Sequence, residues 1–371
     1  MKSTTMKIAA FSAALMMPAA GWADEDHDPN FAVPDEEEEE GYDPNKPYYA
    51  ELELEYFNNN SNFESENEYS ATLSLGYYFN ENFSINGVVL GAPVKGDGFF
   101  PNDYDFYFEE LYLAAEFDRI GFFAGKFNPT FGIGYDDAVG YLYSAEYFYG
   151  YELVERLGVG ATYTFGDASG GEHTLGASAF QLDTSSLARS FFRGEQLAAR
   201  ADGGLSNHSG LGSYNLWLEG NDAFGVENSR YNVTYRSQDG GMPGEETETG
   251  FAIGGAKLFE LANGNELEVY AELVSLDNSL DEGISFDQDS LMATGAYYFG
   301  DDWVASLGGG IQRIGNSSDT SEMANGNNNF VTASIGRNFG DLYAELAYKR
   351  DETNGVSSNS AGIFLYYGLE F

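Results

Sequence analysis

What most constrains this chain is a period of two that starts at Tyr48 and recurs to Phe371. In residues 48–57, Tyr48, Ala50, Leu52, Leu54 and Tyr56 share one face, and Glu51, Glu53 and Glu55 the other. Residues 68–79 set Tyr69, Ala71, Leu73, Leu75, Tyr77 and Phe79 opposite Ser70, Thr72 and Ser74. The last segment repeats the pattern with Ile363, Leu365, Tyr367, Leu369 and Phe371. A helix returns a side chain to one face every ~3.6 residues and cannot use this pattern. A strand with one apolar and one polar face requires it.

Sixteen such segments are expected, starting near Tyr48, Glu68, Phe83, Asp105, Ile120, Leu157, His173, Tyr214, Ser229, Thr249, Glu266, Asp287, Trp303, Asn329, Leu342 and Ala361. Every second connection is brief: 80–82, 118–119, 167–172, 262–265, 300–302 and 340–341. The others are longer, at 58–67, 92–104, 128–156, 183–213 and 315–328. A soluble sandwich has no reason to alternate short and long connections. An all-β, transmembrane antiparallel β-barrel does, with short periplasmic turns and long extracellular loops. Closure also removes the open sheet edges that lipid cannot tolerate.

The aromatic content of 16% fits the same picture. Tyr48, Tyr56, Tyr69, Phe79, Phe117, Tyr163, Phe165, Phe299, Phe339 and Phe371 lie at the ends of apolar faces, where barrels carry girdles at the two membrane–water interfaces. Disordered acidic chains are instead poor in aromatics. A net charge of −43 with only 17 basic residues excludes nucleic acid as a partner, because phosphate backbones demand clustered Lys and Arg.

The N-terminal region divides in two. Lys2 and Lys7, the apolar run from Ile8 to Ala20, and Gly21-Trp22-Ala23 read as a signal peptide, residues 1–23, cleaved after Ala23. The run is too short to be a spanning helix. Residues 24–47 hold eleven acidic residues and four prolines, an acidic disordered periplasmic leader. Within it, Glu36 to Glu40 reads either as a solvated, self-repelling tail or as a divalent-cation site. The signal carries +2 and the leader −10, so −35 stays with residues 48–371. Without Cys, an exported chain has no disulfide framework.

Two stretches resemble a known family. Gly368-Leu369-Glu370-Phe371 is similar to the ending of Gram-negative outer-membrane proteins, in which a final Phe belongs to the assembly signal. Glu110-Leu111-Tyr112-Leu113, followed by Gly125-Lys126-Phe127-Asn128-Pro129-Thr130-Phe131-Gly132, resembles the hairpin of phosphate-selective and related sixteen-stranded porins. There a Gly-Lys/Arg pair and a Pro-Phe-Gly ending precede the third loop. This chain inserts Thr130 between Pro129 and Phe131. It also lacks the Lys and Arg ladders of phosphate-selective members. The resemblance therefore implies the fold, the loop position, an outer-membrane location amid lipid and lipopolysaccharide, and a homotrimer. It does not imply phosphate as the solute.

Sixteen strands enclose an aqueous channel, and the polar faces should line it. Glu51, Glu53 and Glu55 turn inward on the first strand, and Glu110 and Glu116 on the fourth. Glu266, Glu268 and Glu272 do so on the eleventh, and Glu345 and Lys349 on the fifteenth. Arg230 and Arg236 turn inward on the ninth, and Lys126 joins the pore-lining set from the porin-like hairpin. The ninth strand of sixteen lies across from the first. Its arginines and the acidic ladder either set up a transverse field or are ordinary wetted lumen residues. A mainly acidic pore favours cations.

Residues 128–156 form the expected constriction loop, with Asp136, Asp137, Glu146 and several tyrosines. The rings either pack the loop against the wall or offer stacking faces to solutes. Residues 183–213 carry Arg189, Arg193 and Arg200 beside Phe191 and Phe192. This segment reads as a latch for a neighbouring subunit, a contact for lipopolysaccharide phosphates, or a surface loop.

The function expected is passive diffusion of small hydrophilic solutes with a cation bias, without catalytic residue, metal or cofactor. No P-loop, zinc-spaced Cys/His set or dinucleotide fingerprint occurs. Alternatives are a solute-specific channel for a sugar, siderophore or similar molecule, a non-conducting adhesion barrel, and an outer-membrane hydrolase. The hydrolase would have to be built on His208, with Asp202 near it in sequence. A plugged transporter is excluded, since it needs about 22 strands.

Overall fold

The computed structural model describes residues 45–371 apart from 62–64, 95–102, 134–146, 148–149, 168–169, 223–224, 243, 282–283, 301 and 319–325. The signal segment, residues 24–44 of the leader, and Asp136, Asp137 and Glu146 lie outside the described residues.

Sixteen strands follow in chain order: β1 (Tyr48–Ser61), β2 (Ser65–Asn80), β3 (Phe83–Pro93), β4 (Tyr104–Phe117), β5 (Ile120–Phe127), β6 (Arg156–Asp167), β7 (Gly171–Leu182), β8 (Ser213–Asn221), β9 (Ser229–Gln238), β10 (Glu248–Glu260), β11 (Glu266–Asp281), β12 (Ile284–Phe299), β13 (Trp303–Gly315), β14 (Gly326–Phe339), β15 (Leu342–Thr353) and β16 (Val356–Glu370). Each pairs antiparallel with its neighbours in sequence, and β16 returns onto β1 to close the barrel. The expected starts match closely. The largest shift is at β16, which begins at Val356 rather than near Ala361, because Ser357 to Ser360 lack the apolar alternation that marks the rest of the strand.

Alternation sorts the side chains as lipid and water demand. Leu54, Leu75, Leu113, Val159, Leu216 and Leu346 form an exposed apolar belt. It is bounded near the short turns by Tyr77, Phe79, Phe83 and Phe117, and near the long loops by Tyr56, Tyr69 and Tyr348. Neighbouring girdle rings contact edge to face, Tyr77 with Phe79 at 5.4 Å and Phe83 with Phe117 at 5.6 Å. Only a surrounding hydrocarbon phase makes such a belt favourable, so the barrel spans a membrane. On the inner wall, glycines accept rings from the next strand. A Cβ at Gly176 would meet the Trp217 ring at 2.1 Å, and one at Gly160 the Phe123 ring at 2.0 Å.

The wall is irregular where β5 ends. β4 pairs with β5 only from Leu111 onward, which leaves the long-loop end of β4 with an open edge. Such an edge cannot stay unpaired beside lipid. It is sealed by the segment joining β7 to β8, termed L4 (residues 183–212). Phe191 N donates to Phe106 O at 2.8 Å, and Phe192 N and Arg193 N donate to the Asp105 carboxylate. Phe191 packs on Phe108 at 5.1 Å and Phe192 on Phe106 at 6.3 Å. A shift of register between Val88 and Val89 opposite β4 brings Glu109 and Glu110 both into the buried wall.

The lumen and its constriction loop

Of the segment joining β5 to β6, L3 (residues 128–155), the described parts are residues 128–133, Tyr147 and residues 150–155, and these pack against the inner side of the barrel wall. Its anchors lie on strands far from its own stems. Ile133 N donates to Glu272 Oε2 of β11 at 2.6 Å, and Tyr151 OH donates to Glu272 Oε1. One carboxylate therefore gathers the outgoing and returning arms of the loop. Arg236 of β9 donates to Tyr151 O, pairs with Glu248 at 2.8 Å, and lies 4.2 Å over the Phe131 ring. Asn215 Nδ2 of β8 donates to Thr130 O at 2.6 Å. Tyr147 packs edge to face on Phe330 of β14 at 5.0 Å. Phe131, Ile133, Tyr147, Tyr151 and Leu153 are all buried, in one cluster with wall residues such as Phe180, Trp217 and Val274.

Gly132 makes the turn that brings Ile133 to its anchor. Its φ is +79°, and a Cβ there would lie 2.5 Å from Glu272 Oε2. Backbone strain and contact both reserve that position for glycine. Burial in the lumen raises the Glu152 carboxyl on the returning arm to about 8, against the opposing pull of Arg156. It raises the Tyr151 phenol as well.

The sequence-derived lumen residues divide by environment. Glu51, Glu53 and Glu55 of β1 are half-buried, on the row opposite Ser74, Thr72 and Ser70 of β2. Their partners include neutral hydroxyls: Ser70 Oγ donates to Glu55 at 2.6 Å and Tyr366 OH to Glu53 at 2.8 Å. Glu268 accepts from Tyr298 OH at 2.9 Å and Glu345 from Tyr343 OH at 2.8 Å. Glu110 accepts from Asn128 N at 2.8 Å, at the point where L3 departs. Glu116, Glu266 and Arg230 are half-buried. Lys349 is buried, 3.9 Å from Asp351.

Two expectations need correction. Lys126 does not line the pore. It opposes Leu111 and Leu157, positions of the lipid-facing parity, and its side chain is fully buried in the wall. Its ammonium donates to Phe108 O at 2.6 Å, pairs with Glu155 at 2.8 Å and lies 3.4 Å from Asp183. It thus closes the open β4 edge beneath the stems of L3 and L4. Arg236 points inward but lies under L3, paired with Glu248, so it adds no open positive charge opposite β1. The transverse field expected from an Arg230–Arg236 pair reduces to Arg230 alone.

Sequence reasoning missed Glu109, Glu248 and the anchoring use of Glu272. Two adjacent glutamates on a strand break the alternation, and that was the legible sign of the irregularity at Glu109. Nothing in sequence pairs Glu272 with Ile133, 139 positions away.

The described residues give no positive evidence of catalysis. His208 Nε2 lies 3.1 Å from Ser213 Oγ. That oxygen is fully buried and already accepts from Asp239 N and Ser206 Oγ, which ties loops together. Asp202 accepts from Ala199 N and caps a single 3-10 turn. His173 contacts Tyr231 OH at 3.0 Å.

No protein-family model matches the sequence, and no curated protein does. The architecture does have relatives among solved structures. Pseudomonas putida OprB superposes with a TM-score of 0.59 at 12% identity, over 87% of this chain and 94% of that one. The outer membrane channel DcaP of Acinetobacter baumannii gives 0.54 at 10% identity, over 87% and 96%. The outer membrane protein OpdK of Pseudomonas aeruginosa gives 0.51 at 10% identity, over 87% and 99%. At 10–12% identity these similarities show the fold alone, a β-barrel shared with outer-membrane proteins.

Proposed function

We propose that this chain is an outer-membrane porin-type channel that passes small hydrophilic solutes by diffusion and prefers cations. The observation that carries the reading is a closed sixteen-stranded barrel with the outgoing and returning arms of L3 held against its inner wall. That arrangement narrows a wide aqueous passage without needing a moving part or an energy source. The fold shared with the channel DcaP supports it.

The cation preference rests on how the inner charges are compensated. Arg236 is paired with Glu248, and Lys126 with Glu155 and Asp183. By contrast, Glu53, Glu55, Glu268 and Glu345 are oriented by hydroxyl donors. A hydroxyl positions a carboxylate without cancelling its charge. Lys126 and Arg236 are thus held in ion pairs, the inward strand faces carry more carboxylates than cations, and a ring of carboxylates attracts cations. A homotrimer, as in the porins this chain resembles, is the assembly proposed.

Planar-bilayer conductance together with liposome swelling tests the reading. Ohmic conductance and swelling rates that fall with solute size are expected. A barrel that does not conduct would overturn it, and swelling confined to one chemical class of solute would indicate a specific channel.

A further inference from the structure

Arg236 holds the returning arm of L3 through Tyr151 O, and its guanidinium is itself fixed from behind. Arg236 Nε lies 2.8 Å from Glu248 Oε1, and Gln238 Nε2 donates to that same oxygen at 2.8 Å. This contact sets which way the Gln238 amide points, so its own oxygen can only accept. Two donors reach that oxygen, Ser206 Oγ at 2.9 Å and Arg156 Nη2 at 3.4 Å. The serine makes the shorter bond. Ser206, Gln238, Glu248 and Arg236 are all buried, where a hydrogen bond is stronger and a missing one more costly than in water. A chain of contacts therefore runs from L4 through the ends of β9 and β10 to L3.

Ser206 is built into L4 against its own backbone preference. Its N donates to Asp239 O and its O accepts from Leu182 N, both at 2.8 Å, which stitches L4 between the ends of β7 and β9. It does so with φ at +62°. Glycine adopts a left-handed backbone readily, whereas other residues are strained there. Among the described non-glycine residues with positive φ, Ser206 alone is buried. Glycine would make the same backbone contacts without strain, so what the serine adds is its hydroxyl. That hydroxyl meets Ser213 Oγ at 2.9 Å within the stem of L4, and Gln238 Oε1 outside it.

We infer that Ser206 and Gln238 are positioning residues for the returning arm of L3, through which the outer loop L4 steadies the loop inside the barrel. The inference rests on the channel reading above and names the control of its constriction. A displacement of L4 passes along the buried hydrogen bonds to Arg236 and so to Tyr151.

Hydrogen exchange of the full-length barrel in detergent, read at the amides of residues 150–155, tests this. Ser206→Gly, Ser206→Ala and Gln238→Met should each lower protection there about fivefold, the population change that one neutral hydrogen bond supplies. Residues 128–133 should change less, because Glu272 and Asn215 hold them separately. In an Arg236→Met barrel, Ser206→Gly should have no further effect, whereas independent contributions to the fold would add. Undiminished addition would overturn the proposal, as would wild-type protection in a folded Ser206→Gly or Gln238→Met barrel. Loosening in Ser206→Ala but not in Ser206→Gly would trace to backbone strain and would also overturn it. So would lost protection at Phe191, since L4 would then have unfolded as a whole. The exchange reads these contacts whether or not the barrel conducts, so bilayer recording tests the channel reading separately.

Discussion

Replacing Glu272 by Leu should release L3 from the barrel wall. The carboxylate accepts from Ile133 N at 2.6 Å, from Tyr151 OH, and from Tyr270 OH at 3.2 Å, and it is almost fully buried. Hydrogen bonds to a charged group contribute about 1.5–3 kcal/mol each. Losing the two that hold L3 removes roughly 3–6 kcal/mol of anchoring. At ~1.4 kcal/mol per tenfold change, released loops become about 10² to 10⁴ times more populated. Glu272→Gln keeps one accepting oxygen and should show about half the effect on that energy scale. Single-channel recording is the assay. The Leu variant should show a larger and noisier conductance, and backbone amides of residues 128–155 should exchange faster with solvent. The barrel itself should remain folded, since strand pairing around Glu272 is unaffected. Wild-type conductance, noise and exchange in a folded Leu variant would refute the single-carboxylate anchor.

Other perturbations separate the remaining parts. Gly132→Ala, which forces a Cβ to within 2.5 Å of Glu272 at positive φ, should loosen L3 in the same recordings. Lys126→Met strands the Glu155 and Asp183 carboxylates and the Phe108 carbonyl. Breaking such a buried pair costs about 3–5 kcal/mol, so the thermal midpoint should fall while ion selectivity stays unchanged. Arg230→Glu should raise cation preference in reversal-potential measurements, whereas Arg236→Glu should disturb L3, because Arg236 holds Tyr151 O. Glu152 carries the pH dependence of the loop. Its carboxyl is raised from 4.5 to about 8, so the native loop binds a proton that the unfolded chain releases, and native stability falls as pH rises between those values. Protection of L3 amides, corrected for the intrinsic base-catalysed exchange rate, should therefore fall from pH 5 toward pH 8, and Glu152→Gln should remove that fall.

The strands were legible because a half-buried strand must alternate, and each of the sixteen does so for long enough to be counted. The inward direction of the β1 ladder followed from its leucines and tyrosines, which must meet lipid. Lys126 was misplaced although its own strand carried the sign. Ile120, Phe122 and Ala124 share its parity and face outward, so a cation there had to be buried in the wall or covered. The destination of L3 was not legible. It depends on side chains from β8, β9, β11 and β14, which meet only once the barrel has closed. The role of L4 was hidden for the same reason. Its arginines and phenylalanines are locally unremarkable, and they acquire a purpose from the open β4 edge that the departure of L3 creates.

Ion selectivity under a salt gradient tests the central claim most directly. With purified barrels in a planar bilayer and potassium chloride more concentrated on one side, the mainly acidic lumen should set a reversal potential of the sign for preferred potassium flow. Glu51→Gln, Glu53→Gln and Glu55→Gln together should move it toward zero. A reversal potential of the opposite sign, or one unmoved by the triple substitution, would contradict a pore governed by its acidic wall.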